Sequence, residues 1–210
     1  MSEKFVSVTG AAAPLLRANI DTDTISPTRT EKEFGEKGGS NLAQFLFANW
    51  RYDENDNPLP DFVLNRTSFK SAKILLTGPN FGCGSSRESA VWMLKAFGIS
   101  CVIAPSFGEI FYNNCFKNGA LPVILDEATI DGLAKEAEPG EPEAIFTVDL
   151  ESQTIATPSG KTVPFTIPAF RRQGLLEGLD EISLTLQRDA EISEFATRAK
   201  QSRPWAYPNS

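Results

Sequence analysis

Three short apolar runs, Lys73-Ile74-Leu75-Leu76-Thr77, Cys101-Val102-Ile103-Ala104 and Leu121 to Leu125, are each followed by a stretch with helical spacing. This βαβαβα alternation constrains the fold more than any other feature, because strands joined by helical crossovers pair in parallel. The predicted helices run from Arg87 to Phe97, with Gly98 as the C′ residue, from Ser106 to Cys115, and from an Asp126 cap towards Glu138.

The flanks read differently. Phe5-Val6-Ser7-Val8-Thr9 alternates like a strand that Gly10 and Pro14 interrupt, and a polar, glycine-rich stretch runs from Ser26 to Ser40. Leu42, Phe45, Leu46 and Trp50 predict a helix over Asn41 to Trp50, and Asp53 to Pro58 is turn chemistry. After Pro139-Gly140, the segments Ile145 to Leu150, Thr154 to Thr157 and Thr162 to Ile167 read as short β segments around Pro158-Ser159-Gly160. Ala169 to Glu177 reads as a helix. Gln187 to Lys200 reads as an amphipathic one, with Ile192, Phe195 and Ala199 on one side. The expected class is α/β, with a parallel central sheet and a smaller antiparallel β element. A length of 210 residues with 41% hydrophobic content fits a single domain over 1–210, with a polar loop excursion at about 26–62.

Charge and residue usage exclude whole classes of function. The net charge is -7 and the 20 Lys and Arg residues are scattered, so no basic footprint exists for nucleic acid or an anionic membrane. Met1 to Thr9 places Glu3 beside Lys4 and holds few apolar residues. That is neither a secretory signal nor a membrane span, and a cytoplasmic location is expected. The chain has no histidine, which removes Ser-His-Asp and Cys-His pairs, imidazole acid/base work and the common zinc sites. Cys83, Cys101 and Cys115 are odd in number and widely spaced, so free thiols are expected.

Chemistry is therefore left to carboxylates, hydroxyls, thiols, Lys and Arg, and one loop concentrates them. Gly78-Pro79-Asn80-Phe81-Gly82-Cys83-Gly84-Ser85-Ser86-Arg87-Glu88 leaves a predicted strand and opens a predicted helix. Glycines at such a place let backbone approach a ligand, the helix presents unpaired N–H groups, and Arg87 adds a fork matched to a carboxylate. The loop has no Gly-Lys-Ser/Thr ending, and Arg87 stands where a dinucleotide fingerprint needs its third glycine. Two readings fit: a carboxylate or phosphate site, or a turn shaped by glycines with Ser85 or Ser86 capping the helix. Asp21 and Asp23 also divide between a hard-cation site and an Asx turn or cap, but no further carboxylate follows at loop spacing. Cys83 lacks a base or sister thiols and is expected to be passive. Arg171-Arg172 reads as a second anion site or, more usually, as a solvated or paired couple.

The stretch Gly82-Cys83-Gly84-Ser85-Ser86-Arg87-Glu88 resembles the signature of the aconitase superfamily's swivelling domain, which in isopropylmalate isomerases is a free-standing small subunit. Asn19 to Ile25, Ile103 to Asn114 and Phe165 to Arg172 resemble that subunit too, in the right order along nearly the whole chain. The resemblance implies a three-layer β/β/α domain closing over a large subunit that holds a [4Fe–4S] cluster, in a heterodimer or heterotetramer. This chain itself carries no metal or cofactor in that scheme. The pair interconverts 2- and 3-isopropylmalate by removing and re-adding water, with cluster iron as Lewis acid for the hydroxyl. Ser85 matches the hydroxyl that takes the proton, Arg87 the residue that grips the substrate carboxylate, Ser86 a supporting donor, and Asp23 a carboxylate that orients its neighbours.

The large subunit is required on energetic grounds. Ionising an aliphatic hydroxyl of pKa about 15.7 at neutral pH costs on the order of 12 kcal/mol. A helix N-terminus supplies at most ~2 kcal/mol, so the remainder must come from a closed, dry site.

Two positions depart from the family. Ser89 stands where the motif usually has histidine. After Pro27 the family carries apolar residues that receive the isopropyl group, whereas here Thr28, Arg29 and Thr30 precede Glu31-Lys32-Glu33. These three are candidate substrate contacts. Because an apolar pocket discriminates only ~1–3 kcal/mol per methylene, a methylmalate, citraconate or homoaconitate-type substrate is the alternative within the enzyme class. A non-catalytic carboxylate-binding module is the alternative outside it.

Overall fold

A computed structural model describes residues 4–27, 42–138, 144–179 and 181–207. Among these residues seven strands form one sheet: β1 (Ser7–Leu15), β2 (Ile74–Thr77), β3 (Cys101–Ala104), β4 (Leu121–Ile124), β5 (Ile145–Asp149), β6 (Thr154–Ala156) and β7 (Thr162–Pro164). Their order is β4-β3-β2-β1-β5-β6-β7. Strands β1 to β4 pair in parallel, as the alternation predicts, while β5, β6 and β7 are an antiparallel meander. The antiparallel element is not separate from the parallel sheet, because β5 pairs directly with β1.

The first strand differs from its sequence reading, since β1 runs through both Gly10 and Pro14. Ser7 to Ala11 are in register with β5, and Ala12 to Leu15, on the opposite edge, with β2. Among the described residues Pro14 is paired on one edge of the strand alone, where its missing N–H is tolerated. Gly10 is required by packing rather than by a turn: a Cβ there would lie 2.6 Å from Cγ of Lys73.

Alternate residues of the parallel strands face two cores. Leu75, Val102, Ala13 and Leu15 join one cluster, while Ile74, Leu76, Cys101, Ile103 and Ala12 join the other. The short helices α1 (Thr22–Ile25) and α2 (Ala48–Arg51), with α3 (Ser89–Phe97) and α4 (Glu109–Lys117), lie on the first face. Helix α5 (Glu127–Ala137) buries Ile130, Leu133, Ala134 and Ala137 on the second. Asp126 caps α5 as expected, accepting the Thr129 N–H at 2.9 Å. In α3, Met93 and Leu94 are buried, each contributing about 1.5–3 kcal/mol. Gly98 at φ 110° closes the helix as predicted.

Helix α6 (Ala169–Glu177) matches its predicted span; after it come α7 (Glu181–Leu186), which has no counterpart in the sequence reading, and α8 (Asp189–Ser202), which matches the amphipathic helix read over Gln187 to Lys200. The helix expected over Asn41 to Trp50 is broken into a 3-10 turn at Leu42–Phe45 and α2. Phe47 between them is left-handed at φ 52°, its N–H donating to the Ile25 carbonyl at 3.0 Å. Arg171 and Arg172 are structural: Arg171 donates to Asn113 at 2.6 Å and lies over Phe116, and Arg172 donates to the carbonyls of Leu150 and Glu151.

Candidate active site

Because Leu15 is in register with Thr77, β1 and β2 release their carboxyl ends at one edge of the sheet. The two departing loops then pair. Asn19 N–H donates to Pro79 O at 2.9 Å, Gly82 N–H to Ile20 O at 2.7 Å and Thr22 N–H to Cys83 O at 2.9 Å. The loop after β3 adds a third layer, as Phe81 N–H donates to Ser106 O at 3.1 Å and Gly108 N–H to Phe81 O at 2.8 Å. Residues 106–108 are thereby committed to this pairing, and α4 begins at Glu109 rather than at Ser106.

Two glycines permit the close approach. Gly82 sits at φ 72°, and a Cβ on it would enter the Phe111 ring. Gly108 presses against the Gly82 carbonyl and would place a Cβ 2.9 Å from the Cys83 Cα. Gly82→Ala is expected to destabilise the fold by about 2–4 kcal/mol, the sum of left-handed strain and overpacking. Denaturant unfolding of the full chain measures this, and a loss below about 1 kcal/mol would show that the ring can give way.

Beyond Gly82 the chain turns outward. Gly84, Ser85 and Ser86 are exposed, and α3 begins only at Ser89. The helix has Glu88 at its N-cap position with no side-chain cap, so neither Ser85 nor Ser86 serves as the cap. Arg87 Nε lies 2.6 Å from Asp23 Oδ1 and 3.2 Å from Ser85 Oγ. Its single Nε–H is shared between the two, with the shorter contact to the carboxylate dominating. Thr22 Oγ1 donates to the Ser85 carbonyl at 2.8 Å and stands 3.3 Å from Ser85 Oγ. With the Thr22 proton so committed, the Ser85 hydroxyl proton points towards Thr22 and its lone pairs towards Arg87.

Ser85, Arg87 and Asp23 are thus brought into one hydrogen-bonded group, whereas the Ser86 hydroxyl makes no hydrogen bond among the described residues. Asp21 takes the capping alternative, accepting the Thr24 N–H at 2.7 Å as the N-cap of α1. Cys83 is half-buried, and burial followed by the charge of Asp21 pushes its thiol up, away from the reactive thiolate. Burial likewise raises Cys101 and Cys115 in the core. Among the described residues no three His, Cys, Asp or Glu side chains converge as a metal site.

The chain matches the aconitase C-terminal domain family over residues 2–128. It also matches the LeuD_N family over 131–169 and, over 181–208, the family of the C-terminal domain of the 3-isopropylmalate dehydratase small subunit. The 3-isopropylmalate dehydratase small subunit of Parvibaculum lavamentivorans is 50% identical over 203 residues, covering 97% of this chain and 99% of that one. The same subunit of Dinoroseobacter shibae is 51% identical over 203 residues, with the same coverage of both chains. The chain belongs to the 3-isopropylmalate dehydratase small-subunit family. A crystal structure of 3-isopropylmalate dehydratase from Methanocaldococcus jannaschii, 27% identical, superposes with a TM-score of 0.60 over 90% of this chain and 98% of that one.

Set beside the family signature, Ser89 is not an unsupported substitution, since its Oγ shares a 2.9 Å hydrogen bond with the buried Ser26. Thr28, Arg29 and Thr30 lie outside the described residues, as does the rest of the glycine-rich stretch up to residue 41. Sequence reasoning passed over Thr22, which is buried and touches Ser85 twice. Its place between Asp21 and Asp23, inside a stretch that resembles the family, was the available signal. No helix among the described residues is long and apolar enough to cross a membrane.

Proposed function

We propose that this chain is the small subunit of a two-subunit hydro-lyase that interconverts 2-isopropylmalate and 3-isopropylmalate by dehydration and rehydration, in the leucine pathway. The observation that carries the reading is the grouping of Ser85 and Arg87, on the loop after β2, with Asp23 of α1, after β1, at the carboxyl ends of the two strands, in a chain about half identical to subunits of that name. In this scheme Ser85 exchanges the proton beside a carboxylate. Arg87 grips the carboxylate with its guanidinium while Asp23 holds the Nε edge in place, and Ser86 adds a donor once substrate is present.

The described residues do not fit a [4Fe–4S] cluster, since no set of thiols converges. We therefore assign the cluster to a large-subunit partner, with this chain closing over it as a single swivelling unit. Free thiols favour a cytoplasmic setting. An exposed Ser85 needs such closure, because a hydroxyl in water sits on the order of 12 kcal/mol from its alkoxide at neutral pH.

The test is reconstitution. Co-expressed with a large subunit and purified without oxygen, the pair is expected to absorb in the visible iron–sulfur region and to turn over isopropylmalate, while this chain alone is colourless and inactive. Turnover by the single chain would overturn the two-subunit reading. A pair active only on methylmalate or citraconate would overturn the substrate.

A further inference from the structure

The loop bearing Ser85 and Arg87 is exposed from Gly84 to Ser86, and Gly82 and Gly84 within it are left-handed. Its shape therefore depends on what holds its two ends. Thr22 holds the upstream side through the Ser85 carbonyl. At the downstream end, Glu88 makes no capping bond to its own helix. Instead its Oε1 accepts from Asn118 Nδ2 at 2.8 Å.

Asn118 is the C-cap of α4, and every polar atom it has is engaged. Nδ2 also donates to the Asn114 carbonyl at 2.9 Å, Oδ1 accepts from Trp92 Nε1 at 2.9 Å, and the carbonyl accepts from Lys95 Nζ at 2.6 Å. The backbone N–H donates to Asn114 O at 3.1 Å and Cys115 O at 3.2 Å. Glu88, Trp92 and Lys95 fall at i, i+4 and i+7, one face of α3 together with the residue just before it. One residue at the end of α4 thus grips that face through its side chain and carbonyl, starting at the residue next to Arg87.

We propose that Asn118 is a positioning residue for Arg87, fixing through Glu88 the backbone from which the guanidinium reaches the substrate carboxylate. This rests on the substrate-gripping role of Arg87. The Ser26–Ser89 bond at 2.9 Å holds the neighbouring residue from the other side, so loss of the Asn118 bond displaces the start of α3 without unfolding it.

Asn118→Asp separates positioning from mere stability. The aspartate keeps an oxygen for Trp92 but sets a carboxylate oxygen where Nδ2 donated to Glu88 and to the Asn114 carbonyl, while Lys95 offsets part of the added charge. In the assembled enzyme this substitution is expected to raise KM about tenfold, with kcat within about twofold of wild type. Loss of folded or assembled enzyme would instead lower the apparent kcat and leave KM alone. Adding Glu88→Gln exchanges donor and acceptor, since its amide can donate to the new carboxylate. The double variant is expected to return KM to within about threefold of wild type. A second readout uses the full chain without its partner: amide exchange over residues 84–89 should quicken in Asn118→Asp and slow again in the double variant. If the wild-type pair fails on isopropylmalate, the functional reading falls and amide exchange alone decides the clamp. An unchanged KM in an active Asn118→Asp pair, a raised KM that the Glu88→Gln exchange does not restore, or unchanged amide exchange overturns the proposal.

Discussion

Ser85→Ala in the assembled enzyme is expected to lower kcat by about 10³-fold, within the 10²–10⁴ range of a positioned acid or base, and to leave KM within about threefold. The asymmetry follows from the site. The hydroxyl lies 3.2 Å from Arg87 Nε and 3.3 Å from Thr22 Oγ1, both long contacts, so its removal disturbs neither the guanidinium nor the loop. The Arg87–Asp23 pair at 2.6 Å and the Thr22 bond to the Ser85 carbonyl at 2.8 Å remain. Ground-state binding therefore persists, and what disappears is a group needed when the C–H bond breaks. Washing solvent deuterium into recovered substrate measures that step apart from rehydration. Exchange and net turnover should fall together in Ser85→Ala. Wild-type exchange in the variant would mean that another group takes the proton.

The parts of this molecule that were legible in the sequence are those whose cause is local. Strands β2, β3 and β4 are short apolar runs bounded by polar or turn residues, and the Asp126 cap and the Gly98 terminus are single-residue signals acting within one turn. What escaped has a long-range cause. Gly10 and Pro14 look like punctuation until the Lys73 stem and one-sided pairing are in place. Phe47 takes its left-handed conformation where its N–H meets Ile25. The helix starting at Glu109 begins late because residues 106–108 pair with the loop after β2, and the helix starting at Ser89 does so after residues held by Thr22, Asp23 and Asn118.

The site divides in the same way. A glycine-rich turn followed by Arg87 marks an anion loop on its own, but nothing near Asp23 in sequence indicates that it faces Arg87. Resemblance implied a carboxylate at Asp23 that orients its neighbours, and the contact with Arg87 itself comes from the fold. Thr22 and Asn118 act across 63 and 30 residues respectively, and no periodicity or spacing reports such contacts. Elimination helped as well, since the absence of histidine directed attention to hydroxyl and guanidinium chemistry before any fold was known.

Arg87→Lys is expected to weaken substrate binding by about 2–3 kcal/mol, a rise in KM of roughly 30- to 150-fold, with kcat reduced less than about tenfold. Charge is conserved in this substitution, so the effect isolates geometry. A guanidinium presents its donors in a fixed plane: the Nε edge is held 2.6 Å from Asp23, and that anchoring orients the fork towards a carboxylate. An ammonium is a compact point charge that can meet Asp23 or the substrate but cannot hold both in a fixed relation. Asp23, 57% exposed, would then draw the lysine to itself and leave the substrate carboxylate unpaired. Because the grip exists in the ground state and the transition state alike, its loss appears in KM. The substitution leaves the loop intact, since the Thr22 and Glu88 contacts do not involve the Arg87 side chain. Steady-state kinetics in both directions on the assembled pair decide the matter. A KM within threefold of wild type with a collapsed kcat would move Arg87 from substrate binding to stabilising charge in the transition state.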